Sequence, residues 1–201
     1  MSEPAESPGD PAGTTFVETI RLLRADRARL DRILRDRGIP AAGILSPSFL
    51  CVVLYRISRY LFVNGRTIAS RLVWQVNLFL TGADISPICR LGAGLVVIHP
   101  VAATIVGSAG RCLTVEGHGG LGGGLALNDI GAGPGLPLLG DEVHLARGAS
   151  ILGPVRIGDR VRIGPGCTVV RDLPDDTEVP AHKILILRRT RSSTGGTHDA
   201  V

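Results

Sequence analysis

Residues 139–170 read LGDEVHLARGASILGPVRIGDRVRIGPGCTVV, and an aliphatic side chain returns every six residues: Leu139, Leu145, Ile151, Ile157, Ile163, Val169. The fourth position after each beat is small or apolar too, at Val143, Ala149, Val155, Val161, Cys167 and Leu173. The same beat runs upstream through Ile85, Leu91, Val97, Ala103, Ala109, Val115 and Leu121, with Cys89, Leu95, Val101, Gly107 and Leu113 between. A period of six fits neither the 3.6-residue helix nor the two-residue strand. It is the signature of a hexapeptide solenoid, in which each hexad forms one flat side and a corner. Three hexads close a triangular coil, so residues 18 apart stack, the aliphatic beats fill the axis, and glycines such as Gly158 and Gly164 turn the corners. The expected fold is an all-β solenoid, a parallel β-helix, behind an α-helical N-terminal region.

Around that frame the composition is restrictive. A chain of 201 residues holds one domain, or one domain with an appendage. Aromatic residues make up 3%, which suits a narrow core of Val, Ile, Leu and Ala. A net charge of +4, with arginines scattered and few aromatics among them, argues against nucleic acid. The four cysteines, Cys51, Cys89, Cys112 and Cys167, form no CxxC pair, and two fall on inward positions. That use fits a reducing cytoplasm. The longest apolar run, 49–63, is interrupted by Arg56 and Arg59 and falls short of the roughly 20 residues that span a bilayer.

In chain order, residues 1–13 read as a disordered leader and 14–82 as the helical region. Thr14 or Thr15 is placed to cap a first helix that Gly38 and Pro40 stop. Ser46-Pro47 opens a second helix with Leu50, Val53, Leu54, Ile57 and Leu61 on its apolar side. A third, near 66–80, carries Ile68, Leu72, Trp74 and Leu78. Packing on the solenoid or on a sister subunit is the favoured use of these helices, with membrane contact by 49–63 the other option. The β-helix is expected over 83–181, with an excursion at 122–138 where the beat lapses and Gly, Pro, Asn and Asp gather. Long loops in compact solenoids tend to carry function. Residues 182–201 read as a basic, partly disordered tail.

His99 stands two places after the beat at Val97, and the residue one coil later is Gly117, which leaves a notch beside the imidazole. Asp84 precedes the first beat, near the same corner. An aspartate beside a histidine fixes its tautomer and steadies the imidazolium, as a general base requires. His118 enters the Gly-rich stretch and is a candidate for the pocket wall, whereas His144 and His182 read as surface residues. A carbonic-anhydrase-type metal site needs three histidines about one ion; His99 and His118 supply two, and no metal is expected. Gly119–Gly124 matches a phosphate-binding loop in composition only, because no strand-to-helix context surrounds it.

Residues 74–181 resemble the serine acetyltransferases of the left-handed β-helix acyltransferase superfamily. The matching segments are Leu80-Thr81-Gly82-Ala83-Asp84-Ile85, Leu91-Gly92-Ala93-Gly94-Leu95, Ile98-His99-Pro100, Gly148-Ala149-Ser150-Ile151-Leu152-Gly153, Ile157-Gly158-Asp159 and Val179-Pro180-Ala181. The resemblance implies a left-handed solenoid and transfer of an acetyl group from acetyl-CoA to a hydroxyl, with His99 as base and Asp84 as its orienting partner. It implies acceptor contacts at the positions of Ile98 and Leu136, beside Gly117 and His118, which the coil spacing already sets at the same notch. The donor is expected along Gly122, Gly123, Gly148, Ala149, Pro180, Ala181 and Lys183, with N–H groups near Gly122 and Gly123 facing the oxyanion. It also implies a homotrimer with sites between subunits, extendable to a hexamer. Three positions depart from the family: Ile98 replaces an aspartate, Leu136 a histidine, and Glu178 a glycine. Two polar contacts to a zwitterionic amino acid become aliphatic, so a sugar or another alcohol is as well suited as serine. The remaining alternative is a non-catalytic assembly scaffold.

Overall fold

The computed structural model describes residues 15–40 and 46–181. The leader 1–13, His182, Lys183 and the rest of the tail lie outside the described residues. Three helices come first, α1 (Phe16–Asp36), α2 (Pro47–Val63) and α3 (Thr67–Thr81). The Thr15 side chain caps α1 by accepting the Glu18 N–H at 3.1 Å. Gly82, with φ of 73°, ends α3 in the left-handed conformation that glycine adopts without steric cost.

The solenoid then makes five coils. The first holds β1 (Asp84–Ile85), β2 (Arg90–Leu91) and β3 (Val96–Ile98); the second β4 (Thr104–Ile105), β5 (Ser108–Ala109) and β6 (Thr114–Glu116). The third holds β7 (Gly120–Gly122), β8 (Leu138–Leu139) and β9 (His144–Leu145); the fourth β10 (Ser150–Leu152), β11 (Arg156–Ile157) and β12 (Arg162–Ile163). β13 (Thr168–Val169) and β14 (Glu178–Val179) close the fifth, with Leu173 bridging Ile157 between them. These strands form three parallel sheets, β1-β4-β7-β10-β13, β2-β5-β8-β11 and β3-β6-β9-β12-β14. Each sheet stacks one column of aliphatic residues on the axis; the third runs Val97, Val115, Leu145, Ile163, Val179.

The beat is broken in one place. Ile105, not Ala103, pairs with Ile85 and Leu121. The corner after β3 takes two extra residues, and the side between Ile105 and Ala109 is two shorter, so the count recovers by Val115. His99 and Ala102 absorb the extra length at φ of 53° and 56°. Val101, expected inside, is therefore 59% exposed. Asp84 accordingly pairs with Thr104 rather than lying below Ala102.

The open end of the first coil has no earlier coil to satisfy its backbone, and the helices supply the partners. Arg56 donates to the carbonyls of Leu91 (2.6 Å) and Gly92 (2.7 Å), Arg59 to that of Pro87 (3.2 Å), and the Tyr55 hydroxyl to that of Cys89 (2.9 Å). Asp26 of α1 pairs with Arg56 at 2.9 Å, both side chains fully buried, and accepts the Leu95 N–H at 2.8 Å. The arginines that seemed to interrupt the apolar run of α2 thus define its buried face, in place of the Leu50–Leu61 stripe.

α3 packs through its small polar side. Ser70 donates to the Ser58 carbonyl at 2.8 Å and Asn77 to that of Cys51 at 3.0 Å, while Ile68, Leu72 and Phe79 face outward. With α2 set between α1, α3 and β3, membrane contact through 49–63 is not supported; the exposed apolar stripe belongs to α3. Among the described residues no helix is long and apolar enough to cross a membrane.

Candidate active site

β3 delivers Ile98 and then His99 to the corner between the third and first sheets. His99 is exposed there in a left-handed backbone conformation, φ 53°. Such a conformation costs a non-glycine residue on the order of 1–3 kcal/mol and needs support. Gly117 gives it: its N–H donates to the Ile98 carbonyl at 2.8 Å, and its bare α-carbon lies so close over His99 that a Cβ would collide with the His99 carbonyl oxygen. The imidazole edge is left uncovered. His118 follows at the same corner one coil on, exposed, with φ of 62°.

Further residues of the expected site lie along this edge. Gly148 donates to the Gly117 carbonyl at 3.2 Å, Ala149 is buried beside it, and Pro180 and Ala181 end the fifth coil, where Ala181 sits against Gly164. Gly122 and Gly123 are elsewhere, at the far end of the first sheet, where the chain leaves for the excursion. Gly122 is a strand residue paired with Leu152, and Leu138 is a strand residue too, so the excursion proper is 123–137. Leu136 lies beside Gly123 and Gly133. One chain therefore carries His99 and Leu136 on different edges of the prism.

The excursion is tied to the second sheet. Arg90 donates to the Gly131 carbonyl and Arg156 to that of Ile130 at 2.9 Å. Asp129 closes a turn by accepting the N–H groups of Gly131 (2.7 Å) and Gly133 (3.0 Å), and these bonds hold its carboxyl below the usual carboxylate range.

Asp84 and His99 share no hydrogen bond. Asp84 Oδ1 instead accepts the Trp74 indole N–H at 2.9 Å, and Oδ2 has no hydrogen-bond partner among the described residues. Ile98 packs with the apolar cluster of Leu30, Phe49 and Val96. Two contacts had no sequence signal: the Trp74–Asp84 bond, which needs α3 folded back on β1, and a His144 Nε2–Glu116 Oε1 pair at 3.2 Å on the outer face of the third sheet. Neighbours one coil apart across the excursion are 30 residues apart, as Thr114 and His144 show, which hides the second pair from any fixed-spacing search.

Two clefts of about 330 and 360 Å³ are lined by Glu142, Arg160, Arg162 and Glu178, and by Val169, Leu173 and Val179; neither touches His99. Among the described residues no group of three His, Cys, Asp or Glu side chains is placed to hold a metal ion.

Residues 137–171 match the family model for the bacterial transferase hexapeptide (six repeats). A serine acetyltransferase of Mycobacterium tuberculosis is 31% identical over 175 residues, which cover 84% of this chain and 75% of that protein. Another, from Synechococcus elongatus, is 33% identical over 138 residues, 66% of this chain and 54% of the relative. Among solved structures, a serine acetyltransferase isoform of Entamoeba histolytica in complex with cysteine superposes with a TM-score of 0.71 at 26% identity, over 87% of this chain and 62% of that one. The enzyme of Neisseria gonorrhoeae gives 0.72 at 27% identity, over 81% and 65%. The chain thus spans about half the length of the Synechococcus protein and just under two thirds of these two solved chains.

Proposed function

This chain belongs to the serine acetyltransferase family, and we propose that it transfers the acetyl group of acetyl-CoA to the hydroxyl of a small acceptor. His99 is the general base. An imidazole nitrogen takes the hydroxyl proton as the oxygen attacks the thioester carbonyl; a C–O bond forms and the carbonyl electrons move onto oxygen. The tetrahedral oxyanion then collapses, the C–S bond breaks, and the CoA thiolate recovers the proton from the imidazolium. A neutral alcohol is a weak nucleophile at pH 7, and such a base contributes about 10²–10⁴-fold.

The observation that carries this reading is the exposed His99 under a residue that has no side chain to cover it. Asp84 is its orienting partner: Trp74 occupies Oδ1 and leaves Oδ2 for the imidazole in the loaded site. Gly148, Ala149, Pro180 and Ala181 form the donor edge, with Lys183 beyond it. His99 and Leu136 lie on different edges of one prism, which supports a trimer in which one subunit's excursion reaches its neighbour's histidine and brings Gly122 and Gly123 to the oxyanion. Pairing of trimers into a hexamer through the apolar stripe of α3 is compatible with this arrangement. The four cysteines are free, which supports a reducing, cytoplasmic setting.

The test is thiol release from acetyl-CoA with a panel of L-serine, homoserine, sugars and aminoglycosides, for wild type and His99→Ala. Turnover that His99→Ala abolishes supports the reading. Failure of acetyl-CoA to bind at all would replace it with an assembly scaffold.

A further inference from the structure

The two ends of the solenoid are finished differently. Asp26, Tyr55, Arg56 and Arg59 of the helices cover the first coil. At the other end, β13 and β14 are the last strands of the first and third sheets among the described residues. The axial side chains of Leu173 and Val179 are only partly buried there, and with Val169 they line the cleft of about 360 Å³. Beside it Val170 is 66% exposed, and Leu152, one coil below in the register of Ile151 and Val169, is 40% exposed. An edge strand beside an apolar cleft is a template for one more strand.

The chain itself runs on from this point. Ala181 ends the described part of the fifth coil, and His182-Lys183-Ile184-Leu185-Ile186-Leu187 follow, then Arg188 and Arg189. The register of this segment can be counted. β14 pairs Val179 with Ile163, so the step from Ile163 to Val169 is repeated as the step from Val179 to Leu185. That sets Leu185 over Val169 on the axis. In the first sheet, the N–H that opens each strand donates to the carbonyl just before the strand above. The series runs Asp84 to Ala103 (2.8 Å), Thr104 to Gly119 (3.2 Å), Gly120 to Ala149 (2.9 Å) and Ser150 to Cys167 (2.8 Å). With Leu185 over Val169, the next donor, Thr168, meets the carbonyl of Lys183. Ile186 then stands on Val170 in line with Leu152, and such cross-strand apolar pairs stabilise a sheet. Arg188 and Arg189 supply the polar outer face that a terminal repeat needs. We infer that the C-terminal end of the solenoid is a docking surface for this chain's own residues 184–187, which add a sixth strand to the first sheet and fill the apolar cleft with Leu185. The docked strand holds Lys183 at the corner of Pro180 and Ala181, a consequence that rests on the acetyl-transfer reading.

The test is amide hydrogen exchange by NMR on the full chain, for wild type, Leu185→Asn and Val201→Asn. A parallel sixth strand protects alternate amides. In wild type Thr168, Val170, Leu185 and Leu187 are expected to exchange slowly, and Ile184 and Ile186, whose N–H groups face away from β13, to exchange fast. Leu185→Asn is expected to speed exchange at Thr168 and Val170 by about tenfold or more, with Ile85 and Leu91 of the first coil unchanged. Val201→Asn is expected to change neither. Fast exchange at Thr168 and Val170 in wild type overturns the inference, as does protection of Ile184 and Ile186 in place of Leu185 and Leu187. Protection that rises with protein concentration assigns the edge to a second copy and overturns it too. If Leu185→Asn loses protection in every coil, the wild-type alternation decides alone. Calorimetry with acetyl-CoA reads the consequence for Lys183. Leu185→Asn is expected to raise the Kd about 2–5-fold, the range for one exposed charge contact. An unchanged Kd beside lost protection overturns that consequence. A wild type that does not bind acetyl-CoA refutes the transfer reading and leaves the exchange result to decide the docking.

Discussion

His99 owes its position to one absent side chain. Gly117→Ala would push a methyl group into the His99 carbonyl, in a backbone already at positive φ. We expect this variant to fold, to bind acetyl-CoA, and to lose at least tenfold in kcat, measurable by single-turnover transfer. His99→Asn keeps the bulk and removes the base, and is expected to lower kcat by about 10²–10⁴ with little change in donor binding. Trp74→Phe is expected to release Asp84 Oδ1 while leaving α3 in place. If Asp84 orients the imidazole, the pH profile of kcat/KM shifts in this variant while KM for acetyl-CoA holds. Among the buried thiols, desolvation pushes Cys51 and Cys89 up to about 12, so neither is a nucleophile at neutral pH.

The elements meet through buried polar contacts as much as through apolar ones. α1 and α2 hold the first coil by the Asp26–Arg56 pair and by arginine bonds to open carbonyls. Removing one member of such a pair leaves the other buried and uncompensated, so Asp26→Ala is expected to cost about 3–5 kcal/mol in urea unfolding. The excursion is held more lightly. The native pKa of Asp129 lies below its unfolded value because the N–H groups of Gly131 and Gly133 stabilise the carboxylate. The turn's contribution is therefore complete above the ordinary carboxylate range and is lost as pH falls through the depressed native value. Hydrogen exchange at Gly131 and Gly133 is expected to accelerate, relative to Leu121 and Ile151, as pH is lowered through that window once intrinsic acid dependence is divided out. Neither feature was legible in the sequence. The apolar spacing of α2 pointed to Leu50 and Ile57, while the buried face is built on Tyr55, Arg56 and Arg59, because a bare coil end demands donors that leucine lacks.

At the scale of the molecule, the solenoid is a prism of three parallel sheets, and the residues of the proposed site lie along its edges. In the proposed trimer, the edge that carries His99 on one copy would meet the edge that carries Leu136 on its neighbour. Sedimentation and activity measured over the same dilution series should therefore fall together, and a trimer that dissociates with activity intact would sink the shared-site arrangement. What the sequence alone determined was the coil itself: a six-residue beat of aliphatic side chains has one way to bury every beat, and the columns from Val97 to Val179 and from Leu121 to Val169 follow that register. It also singled out His99 and Gly117, because stacking one coil apart is a spacing that can be counted. Tertiary structure decided the rest. A two-residue shift at the corner placed Ile105 rather than Ala103 in line and turned Val101 outward, a local exchange of lengths that leaves the long-range count unchanged. The 12-residue surplus of the excursion brought Glu116 within reach of His144, and folding of α3 onto the first coil brought Trp74 to Asp84. Those contacts depend on how far the chain travels before it returns, and local residue spacing carries no record of that.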